Sequence, residues 1–224
     1  TGDEILSVVK KLFKQSVVDG GLKLFKQGLT VGTWGNLSIR DPETNLFYIK
    51  PSGMRYPEIR VDDIVVMDNK KEIIEGFRKP SIEYNFHIAI MNAREDVNCV
   101  MHYHPVYSSV FGVINEDIPG IGEDFVQLVG DKIINCDYAL PGTPELAENV
   151  VKGLGDRNAV IIPNHGSICV GTDFDTTLKT IHVVEKTAHI YILAQSMGKT
   201  SRLIHPDDIA AMQDFARNHY GQGK

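Results

Sequence analysis

Apolar residues Ile5, Val8, Val9, Leu12 and Phe13 recur at helical spacing, which predicts helix from Asp3 to about Leu29. Gly20-Gly21 is expected to break that run into two helices. The period then changes from 3.6 to 2. NLSIR (36–40) and LFYIK (46–50) flank the turn-forming DPETN (41–45), a hairpin pattern. IVVMD (64–68) reads as a further strand and EII (72–74) as its partner. Residues 81–94 return to helical spacing, with Ser81 as N-cap and Glu83 in the first turn, and lead into the strand VNCVMHYH (97–104).

Pro105 ends that strand, a short helix is predicted over 106–111, and INEDIPGIGED (114–124) reads as a long loop. After the strand KIINC (132–136), PGTPELAENVVKGLG carries a helix with a cap at Thr143, Pro144 at its first position and a closing Gly155. AVIIPNHGSICVG (159–171) splits into two apolar strands around PNHG. A long, largely buried helix follows over 174–198, and a last one runs from Pro206 to His219. With no internal repeat, low-complexity segment or linker, the expectation is one α/β domain covering residues 1–224.

Composition narrows the class. The 42% hydrophobic and 23% charged content matches a globular chain and excludes disordered or fibrous types. Subtracting 29 acidic from 23 basic side chains gives −6, which disfavours nucleic acid as a partner. Cys99, Cys136 and Cys169 are odd in number and sit among apolar residues, as core side chains rather than a disulfide framework. No apolar run approaches the ~20 residues that span a bilayer, so no membrane partner is expected. TGDEILSVVKK lacks the pattern of a secretory signal, and a cytoplasmic location is the expectation.

The sharpest chemistry lies in MHYHP. His102 and His104 stand two apart at a strand end, so both imidazoles point to one face and make half a metal site. PNHG brings His165 after another apolar strand, and Gly166 there would let the backbone pass close to an ion or ligand. Glu83, just ahead of the His-bearing strand, completes a set of three imidazoles and a carboxylate that suits Zn²⁺ with an exchangeable position. A rival set, His182, Glu185 and His189, lies on one helical face but has no matching second helix. His87, four residues after Glu83, either orients that carboxylate or is a satisfied structural histidine. TWGN (33–36), PSGM (51–54) and KPS (79–81) place Gly35, Asn36, Ser52, Gly53 and Ser81 where they suit an anion, although each alone is also ordinary turn chemistry. No Walker A loop or strand-linked GxGxxG appears.

Taken in order, TWGNLSIRD, IKPSGM, KPSIE, MHYHP and PNHG followed by Gly171 resemble the class II aldolase/adducin family over nearly the whole chain. Within the family the sequence is most similar to the L-fuculose-phosphate aldolase branch. The resemblance implies a three-layer α/β/α sandwich with a central mostly antiparallel sheet, and a homotetramer with active sites at subunit interfaces. It implies Zn²⁺ on His102, His104 and His165, with Glu83 as resting ligand and catalytic acid/base. Gly35, Asn36, Ser52, Gly53 and Ser81 match the family's substrate and phosphate site. HYGQ places Tyr220 at the family's tyrosine that donates a proton in a neighbouring site, and Glu123 and Asp124 fall near further acid/base positions. One departure is Ile82, where the aldolases carry a second serine whose hydroxyl helps bind phosphate.

The implied reaction is metal-dependent cleavage of a ketose 1-phosphate into dihydroxyacetone phosphate and an aldehyde. Pentulose-phosphate 4-epimerases share the fold but tend to carry Asp at the position of Glu83. A methylthioribulose-phosphate dehydratase also combines metal with Glu. A non-catalytic adducin-like module is expected to lack the metal ligands, and all four are present here.

Overall fold

The computed structural model describes residues 10–219. Helix α1 (Lys11–Lys26) precedes the hairpin β1 (Asn36–Asp41) and β2 (Leu46–Ile49), then β3 (Val65–Met67) and β4 (Ile73–Glu75). Helix α2 (Tyr84–Ala93) leads to β5 (Cys99–Tyr103), α3 (Tyr107–Ile114), β6 (Ile118–Pro119), α4 (Glu123–Leu128) and β7 (Lys132–Ile133). The chain continues through α5 (Pro144–Leu154), β8 (Ala159–Ile162), β9 (Gly166–Gly171), α6 (Phe174–Ser196) and α7 (Pro206–Asn218).

Seven strands form one sheet in the order β4-β3-β2-β1-β5-β9-β8, and every neighbouring pair is antiparallel. Alternation along the strands sorts their side chains into two layers. Leu37, Tyr48, Met101 and Cys169 pack with Val17 and Leu24 of α1 and Ile181 and Val184 of α6. Phe47, Val100, Ile168 and Val170 pack with Phe86 and Ile90 of α2 and Leu146 and Val150 of α5. With both faces covered by helices, the sheet is the middle of a three-layer α/β/α sandwich, as the resemblance implied. No helix among the described residues is long and apolar enough to cross a membrane.

Local signals hold where the chemistry is self-contained. Thr143 caps α5 by accepting from the Leu146 amide at 3.2 Å, and Gly155 takes the left-handed φ of 55° that closes it. Cys99, Cys136 and Cys169 are free and buried.

Elsewhere tertiary packing overrides the local pattern. Gly20 and Gly21 do not break α1; they lie inside it because a side chain at either place would overlap the rings of Phe174 or Tyr56. Residues 114–124 are not one long loop, since α3 runs to Ile114, β6 pairs with β7 through Ile118↔Ile133, and α4 begins at Glu123. Glu83 stands at the N-cap of α2 rather than in its first turn. The expected helix start over residues 3–9, and Tyr220, lie outside the described residues.

Candidate active site

The sheet register builds the site. Asn36 on β1 and Ile168 on β9 flank His102 on β5. His104 follows just past the strand end, and the β8–β9 turn delivers His165 beside them. Gly166 is needed here for the strands themselves. A side chain on it would meet the Tyr103 carbonyl and the rings of His104 and His102, so its absence lets β9 close against β5 and leaves room for both imidazoles beside the turn.

His102 Nε2 lies 2.9 Å from His104 Nε2 and 3.2 Å from His165 Nε2. Its Nδ1 is 3.1 Å from the Ser167 carbonyl, which can only accept. Nδ1 therefore carries the proton, and the Nε2 lone pair faces the other two rings, the form in which imidazole binds a metal. Burial is the main cause that lowers the pKa of all three below the ordinary histidine value; for His102 the neighbouring imidazoles add to it.

Glu83 meets this cluster from the start of α2. Oε2 accepts from Asn36 Nδ2 at 2.8 Å and lies 3.5 Å from His102 Nε2, while Oε1 lies 3.4 Å from His165 Nε2. Oε1 is buried without a hydrogen-bond partner. Three nitrogen donors and an orphaned carboxylate oxygen at one point fit a divalent metal, since ligand atoms of a tetrahedral site with bonds of ~2.0–2.1 Å stand about 3.3 Å apart. His102, His104 and His165 form the one group of this kind found among the described residues.

The rival set on α6 is dispersed. His182 Nε2 bonds to Gln27 Oε1 at 2.8 Å. Glu185 accepts from the amides of Tyr107 and Ser108 at 3.1 and 3.0 Å, capping α3. His189 stacks on Tyr107 with ring centroids 4.0 Å apart.

A cavity of about 360 Å³ opens over Glu83, His104 and His165, with His102 buried behind them. Gly35, Asn36, Ser52, Gly53 and Ser81 all line it. Two loops hold them there: Ser52 N donates to the Lys79 carbonyl at 2.9 Å and Ser81 N to the Lys50 carbonyl at 3.0 Å. Gly35 has a left-handed φ of 68°, and a side chain on it would strike the His102 carbonyl. Ile82 is 63% exposed on the rim. Glu123 and Asp124 do not line this cavity; they begin α4, where Asp124 pairs with Lys186.

Lys50 was missed in the sequence. It is 2% exposed, lines the cavity, and among the described residues forms no salt bridge. Its Nζ donates to the Thr33 and Pro51 carbonyls at 3.1 and 3.2 Å and lies 4.8 Å from the Tyr56 ring centroid. Burial lowers its pKa from 10.5 to about 8. The available signal was a cation directly after the apolar run LFYI, where the next inward position would call for an apolar side chain.

An all-antiparallel sheet enclosed by helices, with three imidazoles and a carboxylate at the end of its middle strands, has counterparts among known proteins. The family pattern described as "Class II Aldolase and Adducin N-terminal domain" matches residues 15–192, and the chain belongs to that family. It is 32% identical over 211 residues to a 5-deoxy-D-ribulose 1-phosphate aldolase of Bacillus thuringiensis serovar kurstaki, covering 94% of this chain and 97% of the relative. It is likewise 32% identical over 202 residues to the L-fuculose phosphate aldolase of Escherichia coli strain K12, covering 90% and 92%. A solved L-fuculose 1-phosphate aldolase superposes with a TM-score of 0.89 at 32% identity, over 93% of this chain and 98% of that one.

Proposed function

We propose that the protein is a zinc-dependent aldolase that cleaves a ketose 1-phosphate to dihydroxyacetone phosphate and an aldehyde. The observation that carries this reading is the Glu83 carboxylate, with one oxygen anchored by Asn36 and the other unpaired, set against three converging imidazoles at the floor of the cavity. Zn²⁺ held by His102, His104 and His165 supplies electrophilic stabilisation of negative charge on the substrate oxygens.

The residues then divide the remaining work. In cleavage the C3–C4 bond breaks, the C4 hydroxyl loses its proton and becomes the aldehyde, and the electron pair passes to C3. Glu83 delivers a proton to C3, and in the condensation direction removes it. Tyr220 accepts the C4 hydroxyl proton, a role that rests on the family resemblance. The hydroxyls of Ser52 and Ser81, the backbone at Gly35 and Gly53, and the Lys50 ammonium bind the phosphate end. Lys50 offsets the hydroxyl absent at Ile82, because a hydrogen bond from a charged donor is worth about 1.5–3 kcal/mol.

Assembly as a homotetramer fits the apolar stripe that α3 leaves uncovered, where Val106, Val110 and Val113 are 73%, 39% and 66% exposed beside the site strands. Glu in place of Asp at position 83 favours cleavage over 4-epimerisation, and the names of the relatives at 32% identity point the same way.

The test is exchange of the C3 proton of dihydroxyacetone phosphate in D₂O, followed by NMR with zinc-loaded protein. Exchange is expected, and both a chelator and Glu83→Gln should abolish it while the variant keeps its metal. Its absence in folded, metal-loaded protein would overturn the reading.

A further inference from the structure

Strand β1 alternates between two chemistries. Leu37 and Ile39 enter the apolar layer beneath α1, whereas Asn36, Ser38 and Arg40 are buried, polar and bonded to the segment that begins and contains α2. Two strand residues advance about 6.6 Å and four helical residues about 6 Å. The polar side chains of β1 therefore meet α2 once per turn: Asn36 at Glu83, Ser38 at His87, and Arg40 at the Met91 carbonyl. Arg40 also binds the carbonyls of Glu95 and Val97 just past α2, and anchors that end.

The other two pairs are linked into one buried chain. Ser38 Oγ lies 2.7 Å from His87 Nδ1, His87 Nε2 bonds to Asn36 Oδ1, and Asn36 Nδ2 lies 2.8 Å from Glu83 Oε2. Its direction follows from the carboxylate, which when ionised only accepts. Asn36 must present its NH₂ to Glu83 and hence its carbonyl oxygen to His87. His87 must then carry its proton on Nε2, leaving Nδ1 to accept from the Ser38 hydroxyl. The chain ends at Glu83 Oε2, and Oε1 alone is left without a hydrogen-bond partner, 3.4 Å from His165 Nε2.

We propose that His87, backed by Ser38, is a positioning residue that locks the Asn36 amide so that Glu83 is held through Oε2 and exchanges protons through Oε1. The inference rests on the reading of Glu83 as the acid/base. Without the Nε2–H donor, the Asn36 amide is free to turn its oxygen toward the carboxylate, two acceptors face each other, and Oε1 loses its fixed aim.

The experiment combines two readouts on zinc-loaded protein. Nitrogen NMR of histidine-labelled wild type reads the tautomer of His87, whatever the activity. Rates of C3 proton exchange in dihydroxyacetone phosphate are compared for wild type, His87→Phe, which keeps a ring against Phe86, and His87→Gln, which restores an N–H donor near Nε2. The expected result is the Nε2–H tautomer, an exchange rate constant about 10- to 100-fold lower in His87→Phe at unchanged zinc content and KM, and recovery of most of that loss in His87→Gln. The Nδ1–H or charged form of His87, or a His87→Phe rate equal to wild type, would overturn the proposal. So would a loss in His87→Phe that His87→Gln does not relieve. Should His87→Phe fail to fold, Ser38→Ala removes the partner that holds Nδ1, and slowed exchange with the Nε2–H tautomer kept is expected; a rate equal to wild type would overturn the proposal. A silent wild type would instead sink the aldolase reading, and the tautomer would still decide whether His87 holds Asn36 as inferred.

Discussion

Two groups of histidine and glutamate stand in this chain, and only one of them is left with something to bind. On α6, His182, Glu185 and His189 share a helical face, yet they turn to separate neighbours: His182 bonds to Gln27, Glu185 caps the start of α3, and His189 stacks on the Tyr107 ring. At the sheet end, His102, His104 and His165 turn their Nε2 atoms toward one another, and Glu83 keeps a buried oxygen without a partner. Because an unpaired buried polar atom costs free energy, its survival in the second group points to a ligand, whereas the separate partners of the first point to architecture.

The largest separation between the two groups is expected from alanine substitutions. His102→Ala should lose the metal and lower turnover by about 10³-fold or more, since the metal supplies several kcal/mol of charge stabilisation. His189→Ala should retain both, and metal analysis alongside kinetics reads the contrast. An equal metal loss in the two variants would erase it.

The pH dependence of the metal-free protein comes next. His87, His102, His104 and His165 all have their pKa lowered in the fold, chiefly by burial. For such a group the unfolded chain binds the proton first. Stability is therefore unaffected well above the ordinary histidine pKa of ~6.5 and falls as the pH drops below it. Thermal melts of metal-free protein should show a plateau near neutral pH and a decline below it; saturating metal should raise the plateau and steepen the decline, because the ligands must be neutral to bind.

A smaller effect tests the anion end of the cavity. Lys50→Met should raise KM for a phosphorylated substrate about tenfold or more, with a smaller change for its dephosphorylated analogue. Equal effects on both substrates would remove Lys50 from the phosphate site. Smallest of all, Glu185→Ala should cost about 1–2 kcal/mol in urea unfolding through loss of the α3 cap, with metal content unchanged. Metal loss in that variant would revive the α6 group as a ligand site.

The sequence by itself determined the elements whose causes are local. Period-2 runs around DPETN formed the hairpin, the Thr143, Pro144 and Gly155 signals bounded α5, and the ordered motifs carried the family and its histidines. Local cues failed where the deciding neighbour is distant in the chain. Gly20-Gly21 looks like a break until Phe174 and Tyr56 are found against it. Lys50 looks like an ordinary surface cation until β2 and the loop at Thr33 bury it. The choice between the two histidine groups likewise belonged to the tertiary structure. A lone pair is free or satisfied according to what the fold brings within about 3 Å of it, and for Glu83 that is Asn36, 47 residues away in the chain.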